Sequence, residues 1–149
     1  MRRAGVIGWP VAHSRSPLIH GYWLERYNIA GRYDKLPVAP EDFSAFVRAM
    51  PGQGFVGANV TIPHKGAAYR LCDELTPRAT RLESVNTLWF ENGRILGDST
   101  DGEGFVAALD LECVGWDERR RRAVVLGAGG AAAPIVDALR TRGFEDIVV

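Results

Sequence analysis

The segment from position 123 to 139 constrains the fold more than any other. Ala123-Val124-Val125-Leu126 is a continuous apolar run of the kind expected of a strand buried on both faces. It passes directly into Gly127-Ala128-Gly129-Gly130-Ala131-Ala132, and then into Ile135, Val136, Ala138 and Leu139 at helical spacing. Strand, glycine turn and helix in that order commit the region to α/β packing. Glycine is needed where the main chain must turn tightly and let a pyrophosphate come against bare amides at a helix N-terminus. The same string also serves as an ordinary strand-to-helix turn in α/β proteins, and its strand and helix context favours the phosphate-binding reading. Gly143 is expected to end the helix, and residues 146–149 to form the next strand. The side chain that grips the adenosine ribose, or its 2′-phosphate, is expected about 20 residues past the turn, at or just beyond Val149.

Earlier in the chain, strand and helix signals alternate. Residues 6–8 read as a short buried strand, and Ser16-Pro17 as a helix start with serine as N-cap and proline in the first turn. Leu18, Ile19, Tyr22, Trp23 and Tyr27 share one helical face, with Gly31 as the stop. Residues 33–38 read as a strand, Pro40-Glu41-Asp42 as the start of a helix with apolar stripe Phe43, Phe46, Val47 and Met50, and 55–61 as a third strand. Helical stretches follow at 67–71 and up to Leu82. Strands at 85–90 and 94–97 flank Asn92-Gly93, a two-residue hairpin signal because both positions tolerate positive φ. A helix is expected from Asp101, with Phe105, Val106 and Leu109 on one side, and then the charged connection Trp116-Asp117-Glu118-Arg119-Arg120-Arg121-Arg122. The expected fold is therefore a three-layer α/β domain with a mixed sheet over 1–100, and a connecting helix and linker over 101–122. The first, incomplete β-α-β unit of a Rossmann dinucleotide-binding domain would occupy 123–149.

Charge and composition exclude several classes. Lys plus Arg equal Asp plus Glu at 18 each, so no long-range field gathers polyanions and nucleic acid is not an expected partner. No apolar run approaches the roughly 18 residues of a bilayer span. The apolar stretch after Met1-Arg2-Arg3 is shorter than a secretion signal needs, so a cytoplasmic setting without membrane attachment is expected. Cys72 and Cys113, and His13, His20 and His64, show no ligand spacing; free thiols and no metal site are expected.

Four short motifs sit at the ends of these elements: Ser14-Arg15-Ser16-Pro17, Asn59-Val60-Thr61-Ile62-Pro63-His64-Lys65, Val85-Asn86-Thr87 and Ser99-Thr100-Asp101-Gly102. Each has a plain alternative. The serines and Asp101 suit helix caps, Lys65 a solvated lysine, Asn86 a satisfied core amide, and Asn59-Val60-Thr61 a glycosylation sequon in a secreted chain. Taken together they form a consistent set: hydroxyls for a carboxylate, amides and a threonine for hydroxyls, and a lysine with an aspartate for proton transfer at a carbonyl–alcohol centre.

In this order and spacing, together with G-A-G-G-A-A, the motifs closely resemble those of the shikimate/quinate dehydrogenase family. The resemblance implies that Ser14 and Ser16 bind the substrate carboxylate, that Asn59, Thr61, Asn86 and Asp101 hold ring hydroxyls, and that Lys65 is the catalytic residue beside Asp101. It implies that Gly127, Ala128, Gly129, Gly130 and Ala131 face the phosphates of NADP. The activity it implies is reversible NADPH-dependent reduction of 3-dehydroshikimate to shikimate, in aromatic amino acid and chorismate biosynthesis, by a monomer or homodimer. Ser99-Thr100-Asp101 departs from the family's usual Asn-Thr-Asp, and the NADP-selecting cluster, later strands and C-terminal helices of the family find no counterpart in these residues, as in an incomplete version of the enzyme. A substrate-binding fragment without catalysis, and a relative acting on quinate or aminoshikimate, are the alternative expectations.

Overall fold

The first strand ends on four buried positions, Gly5-Val6-Ile7-Gly8, the pattern of a strand with neighbours on both sides. A computed structural model describes residues 1–119 and 122–149, which fall into two compact units, Met1–Asp98 and Ser99–Val149. In the first unit the strands are β1 (Arg2–Gly8), β2 (Gly31–Pro37), β3 (Gly57–Val60), β4 (Glu74–Leu75), β5 (Thr87–Glu91) and β6 (Arg94–Asp98). The helices are α1 (Ser16–Arg26), α2 (Phe43–Ala49), α3 (Lys65–Leu71) and α4 (Pro77–Leu82). They build one mixed six-stranded sheet in the order β2-β1-β3-β5-β6-β4. The β1 strand is parallel to β2 and β3, the β3, β5 and β6 strands run antiparallel in turn, and β4 is parallel to β6.

Local chemistry explains most of these elements. Asn92 and Gly93 both take positive φ, 51° and 77°, the requirement of the tight turn that joins β5 to β6. The Thr76 hydroxyl caps α4 by accepting from the Ala79 N–H at 3.2 Å, ahead of Pro77 in the first turn. Phe43, Val47 and Met50 lie in the core with Ile7, Ala58, Val60, Ala68, Ala79, Val85, Leu88 and Ile95, so α2, α3 and α4 are packed around one core beneath one sheet face. On the other face α1 lies against β2, its His20 ring stacked on Tyr33.

Two expectations need correction, and the setting of α1 is a finding of its own. Arg15 occupies the N-cap position of α1 without a side-chain cap; Ser16 is the first helical residue, and the Ser14 Oγ accepts its N–H at 3.3 Å. The helix ends before Asn28, at φ 51°, and Gly31 opens β2 instead. The apolar face of α1 is also not core: Leu18 is 75% and Tyr27 65% exposed. Helical spacing records that one face is apolar, while coverage depends on what packs there.

In the second unit α5 (Asp101–Glu112), β7 (Ala123–Val124), α6 (Ala132–Thr141) and β8 (Ile147–Val148) follow, with β7 and β8 parallel in a two-stranded sheet. Arg120 and Arg121 of the expected linker lie outside the described residues. Gly102 lets α5 approach α6, because a Cβ there would meet the Pro134 carbonyl. Trp116 stacks on Phe144, and Arg142 bonds both Asp110 and Asp117. The Trp116 indole and the Arg142 guanidinium together hold the Asp110 carboxyl below its usual range. The expected burial of 123–126 on both faces is not found, since Leu126 is 94% exposed. Among the described residues β7 pairs only with β8, in a two-stranded sheet.

Two measurements check this packing. Phe43→Ala, at a fully buried ring, is expected to destabilise the chain by about 3–5 kcal/mol in guanidinium unfolding. Burial, with the Asp73 charge adding to it, pushes the Cys72 thiol up to about 11. Only about one Cys72 in a thousand is then thiolate at pH 8, so iodoacetamide is expected to modify exposed Cys113 first and Cys72 at least tenfold more slowly, read by mass spectrometry.

Candidate functional site

The pleat of β3 separates packing from chemistry. Ala58 and Val60 point into the core, so Asn59 points to the opposite face, where the strand register sets it beside Thr87 of β5 and Val6 of β1. Tyr33 of β2 lies across from Ala4, two positions before the partner of Val6. Ala4 is small, and the Tyr33 ring reaches past it diagonally until its hydroxyl donates to the Asn59 Oδ1 at 2.6 Å.

From there the polar groups continue in both directions. The Asn59 Nδ2 donates to the Thr87 Oγ1 at 3.3 Å, and the Thr87 hydroxyl to the Asn86 Oδ1 at 3.0 Å. On the other side the Ser14 hydroxyl donates to the Ser16 Oγ at 3.2 Å, and the Ser16 side chain is near enough to the Tyr33 phenol to favour its ionised form. Burial pushes the Tyr33 phenol well above its usual range, with Ser16 opposing that in part. His20 covers the Tyr33 ring at 4.0 Å between centroids and meets Trp23 edge-on, and the same burial lowers the His20 pKa.

Thr61 and Lys65 reach this region through the main chain. The Thr61 N–H donates to the Ile7 carbonyl at 2.9 Å, and Gly8 lacks the Cβ that would strike the Thr61 methyl. Lys65 is the first residue of α3, half-buried, and its carbonyl accepts from the Val85 N–H at 3.2 Å, next to Asn86. Asn86 itself is pinned by its main chain, which accepts from Val60 at 2.7 Å and donates to Asp98 at 2.9 Å. The buried His64 ring stacks on Phe43, and its Nε2 lies 2.8 Å from the Val38 carbonyl. A carbonyl only accepts, so that nitrogen carries the proton, and the bond holds the start of α3 against the end of β2.

The structure thus joins Asn59 and Asn86 in one hydrogen-bonded chain, sets the bonded Ser14–Ser16 pair near its Tyr33 end, and ties Thr61 and Lys65 to its border. Asp101 and the glycine turn belong to the second unit: Asp101 opens α5, and residues 127–131 precede α6. Gly127 takes φ 103°, a conformation side chains disfavour, while a Cβ at Gly129 or Gly130 would meet nothing within 4 Å. Exposed main-chain amides of a glycine turn between a strand and a ten-residue helix are a donor set that fits a dinucleotide pyrophosphate.

Two participants were not singled out from sequence, Tyr33 and Thr87. Thr87 stood inside the quoted Val85-Asn86-Thr87 motif. For Tyr33 the available signal was that a tyrosine in a half-buried strand needs a partner for its hydroxyl. A cavity of about 480 Å³ opens on the same sheet face, bordered by His20, Tyr33, Asn59 and Thr87 and floored by apolar groups including Trp23 and Trp89. Of the motif residues it takes in only Asn59 among those expected to bind substrate, so the cavity adjoins the polar chain without coinciding with it.

Comparison with known proteins gives a consistent result. Residues 6–88 match the family model described as the shikimate dehydrogenase substrate binding domain. The chain is 57% identical over 141 residues to the shikimate dehydrogenase (NADP(+)) of Methylocella silvestris, covering 95% of this chain and 50% of that protein. It is 53% identical over 148 residues to the protein of the same name in Brucella canis, covering 99% and 51%. It therefore spans about half the length of the curated relatives it matches. Among solved structures, shikimate dehydrogenase 1 from Peptoclostridium difficile superposes with a TM-score of 0.91 at 31% identity, over 99% of this chain and 55% of that one. Shikimate 5-dehydrogenase from Thermus thermophilus in complex with NADP(H) and shikimate gives 0.89 at 35% identity, with coverage of 99% and 55%.

The role given to His64 has a direct check. His64→Phe keeps a ring against Phe43 but removes the donor to Val38, and is expected to cost about 1–3 kcal/mol in chemical denaturation.

Proposed function

The chain belongs to the shikimate dehydrogenase substrate binding domain family, and from that premise we propose that it forms the substrate site of an enzyme that reversibly reduces 3-dehydroshikimate to shikimate with NADPH. The observation that carries this reading is the hydrogen-bonded chain through Tyr33, Asn59, Thr87 and Asn86, with the bonded Ser14–Ser16 pair beside Tyr33 and Lys65 at the adjoining start of α3. Residues from three separated motifs converge on one sheet face, and their chemistry matches the parts of the substrate.

Ser14 and Ser16, in the loop before and the first turn of α1, receive the carboxylate. Asn59, Thr61, Asn86 and Asp101 hold the ring hydroxyls. The Lys65 ammonium is the general acid: it gives its proton to the carbonyl oxygen as that carbon accepts hydride, and takes it back in the oxidation direction. Main-chain N–H groups of Gly127, Ala128, Gly129, Gly130 and Ala131 hold the NADP phosphates. NADPH supplies the hydride when bound. The setting is the cytoplasm and the pathway is aromatic amino acid biosynthesis; within the described residues no helix is long and apolar enough to cross a membrane.

Two experiments test the reading. In the intact protein, Lys65→Ala is expected to lower kcat by about 10²-fold or more while the shikimate KM moves only a few-fold. Turnover like the wild type would remove Lys65 from the chemistry. Calorimetric titration of the protein with shikimate and with quinate is expected to show preferential binding of shikimate; preference for quinate would reassign the substrate.

A further inference from the structure

We infer that Tyr33 is a positioning residue of the substrate site: its hydroxyl fixes the Asn59 amide and with it the direction in which Tyr33, Asn59, Thr87 and Asn86 share their protons. The inference rests on the proposed shikimate site.

Counting protons fixes the direction. The Asn59 Oδ1 can only accept, so the single Tyr33 proton is spent on it, at 2.6 Å. Downstream the Asn59 Nδ2 can only donate, which makes Thr87 an acceptor there and a donor to the Asn86 Oδ1. The links therefore run one way, from Tyr33 through Asn59 and Thr87 to Asn86. Beside this chain the Ser14 hydroxyl donates to Ser16 at 3.2 Å, next to the Tyr33 phenol.

The ring is built to stay in place. His20 stacks on it with an interplanar angle of 4°, and burial keeps the phenol protonated through neutral pH, so the donation to Asn59 persists. With Oδ1 occupied, the Asn59 amide is held with Nδ2 toward Thr87. A phenylalanine at 33 would keep the ring and the stack but release the amide to rotate, and so disorder a group that the substrate needs already oriented.

A merely structural tyrosine would lose stability when its hydroxyl is removed and leave affinity alone. The test is a double-mutant cycle on the intact protein, with shikimate affinity from calorimetry and folding from thermal melts of wild type, Tyr33→Phe, Asn59→Ala and the double variant. Tyr33→Phe is expected to weaken shikimate binding about tenfold, and the double variant to bind within twofold of Asn59→Ala alone, a coupling of about tenfold. Thr87→Val, at the other end of the same chain, is expected to weaken binding comparably and keeps the test open should Tyr33→Phe not fold. Affinity within twofold of wild type in a folded Tyr33→Phe, or in folded Thr87→Val should Tyr33→Phe not fold, overturns the inference while leaving the proposed site standing. Losses that multiply in the double variant overturn it too. Failure of the wild type to bind shikimate overturns the proposed site and this inference with it.

Discussion

The two-residue period of β3 is the constraint on which the rest of the first unit depends. Ala58 and Val60 close the core against α2 and α3, and that alone forces Asn59 onto the opposite face. A slip of one residue would bury the amide among Val47, Phe43 and Leu88 and expose two core side chains. The chemistry on the second face is thus guarded by the packing on the first. Because β3 lies between parallel β1 and antiparallel β5, Asn59 also sits where a side chain from either neighbour can reach it.

The same arrangement shows how far local pattern carries. Apolar spacing put Phe43, Val47 and Met50 on one stripe, which the core then covers, and Asn92-Gly93 marked the hairpin turn because its positive φ values are a property of those two residues. The short motifs drew attention to Ser14, Ser16, Asn59 and Asn86. Tyr33 escaped, since its partner lies 26 positions away and the contact exists only through the register of β2 on β1 and of β1 on β3. The exposure of α1 and of residues 123–126 escaped for a related reason: an apolar stripe reports a preference for cover, and its satisfaction is decided by other elements. At the end of α1 two residues competed for the role of terminator, and Asn28 took the left-handed conformation ahead of Gly31.

Each unit carries a different kind of binding surface. In the first, side-chain hydroxyls and amides are matched one to one, which suits a ligand rich in hydroxyls and carrying one carboxylate. In the second, the glycine turn offers main-chain N–H groups and open space in place of side chains, which suits phosphates whose recognition is by charge and amide donation. A Cβ at Gly127 would force a strained backbone at φ 103°, so the turn keeps its shape by the absence of side chains.

A binding site whose polar groups already bond one another, as Tyr33, Asn59, Thr87 and Asn86 do, pays little to exist in the fold. Such a site must still yield to its ligand. In the proposed site a carboxylate arriving at the serines meets two neutral hydroxyls, and a bond from either to a charged acceptor is stronger than the 3.2 Å bond the pair shares. The exchange therefore runs downhill at the serine end. At the amide end the Tyr33 donation to Asn59 need not break, so the orientation of Asn59 survives the arrival of the ligand. A site that gives way at the serines and holds at the amide is both stable when folded and ready to bind, and Tyr33 supplies the part that holds.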